Sequence, residues 1–311
     1  MSIKRKASPF QWTQWFVEAG LWHLILGLFR LLPIETASAI GGWCLRKIGP
    51  LTSAHKTALI NIKLVFPDMP EPQVKQLAMD CWDNLGRIGG EFPHLSELHP
   101  YDKNGRVEIC GYEHLQAVID AKKPAVLISG HFANWEVMAA AICLGGLPAR
   151  VSYRHTNNPW VDASITRTRL AYGIPELSAK GGVGAKEMLQ SMKQGHSVTF
   201  LNDQKFNQGI KASFFGHSLM TAPGPSRLAL RFGAPIIPVS IERLPDARFK
   251  VRFHPAITAS SNPDKTIAIQ ETVETINRFL EEQIVEHPES WFWVHRRWPK
   301  EIYRKTDQDQ G

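Results

Sequence analysis

Hydrophobic positions follow one rhythm up to about residue 106 and another after it. Between Pro70 and Phe92 the apolar residues are Val74, Leu77, Ala78, Cys81, Trp82 and Leu85. That spacing is the stripe of an amphipathic helix, with proline at its start and Gly89–Gly90 predicted to stop it. Residues 34–106 read mainly as helices of this kind. From Val107 short apolar runs alternate with helical stretches. Ala125–Ser129 (AVLIS) lies between Pro124 and Gly130, as expected of a strand buried on both faces. Further strands are predicted over Ala149–Tyr153, Ser197–Leu201, Ile236–Glu242 and Phe249–Phe253. Helices are predicted over Trp135–Leu144, Pro159–Tyr172, Lys186–Lys193, Pro225–Phe232 and Thr266–Glu286. Such alternation indicates an α/β domain around a largely buried sheet. The expected organisation is an N-terminal helix in residues 1–33, a helical region over 34–106, an α/β domain over 107–303 and a disordered tail over 304–311.

The N-terminal segment needs separate treatment. Lys4, Arg5 and Lys6 precede an apolar stretch from Phe10 to Pro33. It lacks the small-residue cleavage site of a signal peptide, and Glu18 and His23 interrupt it. Its cleanest apolar run, Leu24–Phe29, is far short of the ~20 residues that span a bilayer. Trp15, Ala19, Trp22 and Leu26 recur at helical spacing. Three readings stand: a helix lying in the membrane interface, a marginal span, or a helix packed on the globular domain. Basic residues ahead of a span hold the N-terminus in the cytoplasm and carry the rest of the chain across. A helix in the cytoplasmic interface leaves the chain on the cytoplasmic side and is favoured.

Composition narrows the class. A hydrophobic content of 43% excludes global disorder. The net charge of +7 suits an acidic partner, but over 311 residues it equally describes a solvated surface. No basic–aromatic motif points to nucleic acid. The cysteines at 44, 81, 110 and 143 form no CxxC pair, which argues against a zinc site or a disulfide framework and for buried free thiols. Of ten tryptophans, Trp12, Trp15, Trp22 and Trp43 lie early, and Trp291, Trp293 and Trp298 late. Amphipathic rings in clusters suit a membrane–water interface.

The candidate chemistry sits in Ser129–Val137, SGHFANWEV, where a predicted buried strand passes into a helix. Ligands of open α/β sheets bind beyond the carboxyl ends of strands. Histidine can remove a proton from a hydroxyl near neutral pH, and a carboxylate can hold its tautomer and stabilise the imidazolium. On one continuous helix His131 and Glu136 would point ~140° apart. They can meet only if His131 lies in the loop and Glu136 in the first helical turn. The same spacing equally describes a structural histidine followed by a glutamate favoured by the helix dipole. No H-E-x-x-H, G-x-S-x-G, P-loop or Rossmann glycine motif is present.

With these residues in view, the chain resembles the late acyltransferases of lipid A biosynthesis, the lauroyl/myristoyl transferase family of Gram-negative bacteria. GHFANWE is similar to that family's H-x4-E/D motif. YRHTNNPWVD (Tyr153–Asp162), the following Arg169, LNDQ (Leu201–Gln204) and the block Phe214–Val239 match in order and spacing. The resemblance runs to WFWVHRRWP at Trp291–Pro299. It implies a mixed sheet flanked by helices, similar to glycerol-phosphate acyltransferases, with an N-terminal membrane-associated helix. It implies an inner-membrane enzyme facing the cytoplasm that needs no metal or nucleotide cofactor. Acyl carrier protein would supply the acyl group, and a hydroxyl of a lipid A precursor would accept it. His131 and Glu136 would be the catalytic pair. Asn134, Arg154, Arg169, Asp203 and Gln204 would bind substrate, with Asp203 anchoring Arg169 or holding the site's shape. The acceptor's phosphates suit arginine, so Arg296 and Arg297 are further candidates, with Lys180 and Lys186. Other readings on the same residues are a phospholipid or other glycolipid acyltransferase, and a non-catalytic protein that binds anionic lipid.

Overall fold

The computed structural model describes residues 8–175, 177–179 and 182–308. The N-terminal third is helical: α1 (Pro9–Arg30), α2 (Ile34–Ile48), α3 (Ser53–Val65) and α4 (Glu71–Glu91). The α/β part follows as β1 (Val107–Cys110), α5 (Tyr112–Ala121), β2 (Val126–Ser129), α6 (Trp135–Leu144), β3 (Ala149–Tyr153) and α7 (Pro159–Ala171). Then come β4 (Leu177–Ala179), α8 (Gly182–Lys193), β5 (Ser197–Leu201), β6 (Ile210–Phe214) and β7 (His217–Thr221). The chain ends with α9 (Gly224–Phe232), β8 (Ile236–Leu244), β9 (Arg248–Phe253), α10 (Lys265–Glu286) and α11 (Lys300–Gln308).

Seven strands form one sheet in the order β1-β9-β8-β2-β5-β3-β4. Strands β8, β2, β5, β3 and β4 run parallel, and β9 turns back antiparallel on β8. The central strand β2 is buried along its whole length, so its sequence is an unbroken apolar run rather than an alternation. A separate antiparallel hairpin, β6–β7, packs against α10. The mixed sheet with flanking helices is the α/β architecture expected.

Four expectations change. Helix α4 does not stop at Gly89–Gly90 but runs through them to Glu91. A Cβ on Gly86 or Gly90 would collide with backbone carbonyls of α2. These glycines therefore let two helices touch backbone to backbone instead of ending one. The expected tail over 304–311 begins inside α11, which continues to Gln308; residues 309–311 lie outside the described ones. Trp291, Trp293 and Trp298 are core residues rather than interfacial ones. Among the described residues no helix is long and apolar enough to cross a membrane, which removes the marginal span.

Helix α1 is instead docked on the domain by one side. Trp22 Nε1 donates to Ser164 Oγ at 3.2 Å, and Asn158 Nδ2 donates to the Trp15 carbonyl at 2.8 Å. Its other side leaves Phe10, Phe16, Leu24 and Leu28 exposed. Of the cysteines, all free, Cys81 alone is buried, and burial pushes its thiol up to about 12.

Candidate active site

The parallel pairing of β2 with β5 sets Ser129 opposite Leu201. Two residues beyond each strand end, on the same edge of the sheet, stand His131 and Asp203. The register therefore delivers them to each other. His131 Nδ1 lies 2.7 Å from Asp203 Oδ1, and the His131 backbone N–H donates to Asp203 Oδ2 at 3.0 Å. Trp291 Nε1 donates to the same Oδ2 at 2.9 Å. A short antiparallel bridge between Phe132 and Trp291 holds that indole in place. Burial alone would favour the neutral Asp203 carboxyl. The charge of the His131 ring and the donors around the carboxyl outweigh it and hold Asp203 well below the usual carboxylate range.

With Nδ1 turned to Asp203, Nε2 of His131 is the nitrogen left to face a substrate. It faces a cavity of about 490 Å³. The Gln204 amide nitrogen lies 3.3 Å from it. Trp135 and Phe292 pack round the imidazole with ring centroids 5.3 and 5.9 Å away. The cavity has an apolar wall that includes Met138, Ala139, Val151, Ile174 and Leu177. Its polar positions include His131, Glu136, Arg154, Arg169, Gln204 and His295.

Glu136 does line this cavity, in the first turn of α6 as expected, but it is not the partner of His131. Its carboxylate takes Arg169 Nε at 2.8 Å and Nη2 at 2.5 Å, and Trp135 Nε1 at 3.2 Å. The bidentate pair is largely buried. Burial disfavours the Arg169 charge, yet the carboxylate wins and raises its pKa. Thus Asp203 anchors His131, not Arg169, and Arg169 serves Glu136. The spacing argument paired histidine with the nearest carboxylate in sequence. The sheet supplied a remote one.

The other candidates divide. Arg154 is exposed at the cavity and has no carboxylate against it among the described residues. Gln204 lies at the base itself. Asn134 does not reach the cavity. It is fully buried, its Oδ1 accepts the Glu136 N–H at 3.2 Å as the cap of α6, and its Nδ2 donates to Glu91 at 2.8 Å. Arg297 is also buried. It donates to the Met220 carbonyl at 2.9 Å and to Thr221 Oγ1 at 2.7 Å, and burial pushes it down to about 10. Arg296 lies over the Tyr303 ring at 5.7 Å. Lys186 is exposed on α8, away from the cavity lining. Lys180 lies outside the described residues. Trp291, Phe292 and His295 were missed as site residues because a run of aromatics reads as core or interface until its partners are known.

A histidine held by a buried carboxylate, at strand ends of a mixed sheet and open to a largely apolar cavity, is an arrangement that can take a proton from a hydroxyl beside an apolar group. The sequence matches the family described as "Bacterial lipid A biosynthesis acyltransferase" over residues 3–300, and the chain belongs to that family of acyltransferases. It is 25% identical to the lipid A biosynthesis lauroyltransferase of Escherichia coli (strain K12), across 93% of this chain and 92% of that one. It is 23% identical to the lipid A biosynthesis palmitoleoyltransferase of the same organism, with the same coverage. A phosphatidylinositol mannoside acyltransferase of Mycolicibacterium smegmatis is 21% identical over 62% of each chain. Among solved structures, the 1-acyl-sn-glycerophosphate acyltransferase PlsC of Thermotoga maritima superposes with a TM-score of 0.35 at 14% identity, covering 86% of this chain and 97% of that chain. That likeness is too remote to bear on this chain's chemistry.

Proposed function

We propose that this enzyme transfers a fatty acyl group from the thioester of acyl carrier protein to a hydroxyl of a lipid A precursor, with His131 as general base. The observation that carries the reading is the His131–Asp203 contact, which fixes the ring with Nε2 toward the cavity. The acceptor hydroxyl gives its proton to Nε2 as its oxygen attacks the thioester carbonyl. The tetrahedral oxyanion collapses, the carbon–sulfur bond breaks, and the imidazolium returns the proton to the leaving thiolate. Asp203 stabilises the imidazolium between these steps. The Gln204 amide, already at Nε2, is the donor within reach of the oxyanion. Glu136 acts through Arg169, shaping the cavity wall beside the base, and Arg154 meets acceptor phosphate at the rim.

The enzyme works at the inner membrane, facing the cytoplasm. Support comes from the exposed apolar side of α1 and from Ile40, Trp43 and Ile48, exposed on α2. Such a surface lies in the interface rather than across it.

The test is transfer from labelled acyl carrier protein to a panel of acceptors: lipid A precursor, phosphatidylinositol mannoside and lysophosphatidate. Transfer to lipid A precursor is expected, and His131→Ala should lower turnover by roughly 10²–10⁴-fold while the protein still folds. Preferred transfer to phosphatidylinositol mannoside would move the acceptor to that of the mycobacterial relative's name. A folded His131→Ala protein with normal turnover would overturn the mechanism.

A further inference from the structure

Beneath the reactive loop lies a second buried charge centre that the reaction does not use. Glu91, at the end of α4, is 0% exposed. Its carboxylate is held by two guanidinium nitrogens of Arg243 on β8. It also accepts Ser38 Oγ of α2 at 2.7 Å and Asn134 Nδ2 at 2.8 Å. Arg243 Nε reaches on to Asn84 Oδ1 at 3.0 Å, and Asn84 Nδ2 donates to the Ser290 carbonyl at 3.2 Å. The same Ser290 carbonyl accepts the Ala133 N–H at 3.0 Å.

These bonds converge on the segment between His131 and Glu136. Ala133 adopts φ 38°, left-handed backbone that a non-glycine residue keeps only when its surroundings hold it there. Asn134, next in line, is tied at both ends of its amide: its oxygen caps α6 and its nitrogen reaches Glu91. A buried ion pair contributes little net stability compared with apolar residues of the same volume. What it can supply is one fixed geometry, and here that geometry belongs to the loop carrying the base.

We propose that the Glu91–Arg243 centre is a brace for the reactive loop, and that Glu91, Asn84 and Asn134 are positioning residues for the reaction at His131. The inference rests on His131 being the base. It makes the helical N-terminal third part of the catalytic apparatus, since Ser38, Asn84 and Glu91 all come from α2 and α4.

Replacing Glu91 or Arg243 strands a buried charge, so the test is placed on Asn134 in the full chain. Asn134→Ser keeps a capping oxygen for α6. Serine is too short to reach Glu91 from that backbone position. Turnover should fall roughly 10- to 100-fold, as expected for a displaced catalytic group. KM for acyl carrier protein and for the acceptor should hold, and the melting temperature should stay near that of the parent. The Nδ1–H proton resonance of His131, assigned by its absence from His131→Ala, should shift or broaden. A purely structural role would leave that resonance and the turnover per folded molecule unchanged. Parental turnover with an unmoved resonance in Asn134→Ser would overturn the brace. Normal transfer by His131→Ala would overturn the base instead, and the resonance would still report whether Asn134 positions the ring.

Discussion

Among the described residues His131 meets a carboxylate on its Nδ1 side only, so the identity of that carboxylate decides which substitutions matter. Asp203→Asn should keep the shape of the site but lose the charge that stabilises the imidazolium. Turnover should fall by roughly 10²–10⁴-fold. Trp291→Phe removes one of three donors to Asp203 and should produce a smaller loss in initial transfer rate than Asp203→Asn. Glu136 and Arg169 behave differently. They hold each other in a bidentate, largely buried pair, and a lysine cannot reproduce the planar fork. Arg169→Lys should therefore be nearly as damaging to transfer as Arg169→Ala, and Arg169→Ala should also lose about 3–5 kcal/mol in chemical unfolding because Glu136 is left buried and unpaired. Arg167, exposed two residues earlier on α7, should tolerate alanine. Full transfer by Arg169→Lys would show that charge alone suffices.

Pairs of packed elements set the next level of constraint. α2 and α4 cross so closely that Gly41, Gly86 and Gly90 face the opposing backbone. A methyl group on Gly86 would fall inside the Gly41 carbonyl, whereas one on Gly89 would meet nothing within 4 Å. Gly86→Ala should thus sharply lower the melting temperature. Gly89→Ala should raise stability slightly, by up to about 1 kcal/mol of helix propensity. Between β8 and β9, His254 lies near Ser240 Oγ at 2.8 Å, and burial, aided by Arg252, pushes its pKa from 6.5 down to about 4. Its neutral form is the one the fold accepts. Between pH 6.5 and 4 the unfolded chain binds the extra proton, so stability should fall as pH is lowered through that window. His254→Gln should flatten the dependence of melting temperature on pH there. An unchanged slope would assign the acid sensitivity to other groups. Asp203 adds a separate loss further down: its depressed carboxyl stabilises the fold above the usual carboxylate range and ceases to do so as pH falls through its lowered value.

Helix α1 turns one conspicuously apolar side outward. Phe10 is 81% exposed, Phe16 69% and Leu24 60%, and such residues rarely gather on the open surface of a soluble chain. The acceptor of the proposed reaction is itself a lipid, so an apolar face able to sit in the interface fits the proposed substrate. Because α1 is also pinned to α7 through Trp22 and Asn158, deleting it would disturb the fold. Phe16→Glu combined with Leu24→Lys is the cleaner probe. Flotation with anionic vesicles should drop while the melting temperature holds. Undiminished flotation would place the membrane contact elsewhere on the surface.

Periodicity alone was enough for most of the sheet and its helices. Val126–Ser129 is legible because a strand buried on both faces reads as an unbroken apolar run. The β6–β7 hairpin was not legible, since its residues alternate between exposed and buried around a short turn and no long run marks it. The motif around His131 located the reactive loop, and the resemblance brought Arg169, Asp203 and Gln204 into the site. Which carboxylate serves the base could not be read from spacing. Glu136 is five positions away along the chain, but its helix turns it toward Arg169. Asp203 is far away along the chain, and the in-register pairing of β2 with β5 sets it beside the ring. The same reason separates Asn134 from the cavity and puts the late tryptophans in the core. Local sequence determines what a segment becomes and how polar it must be. Only the packing of segments decides which polar group faces which, because a hydrogen bond acts over ~3 Å and the chain crosses the sheet many times before its partners meet.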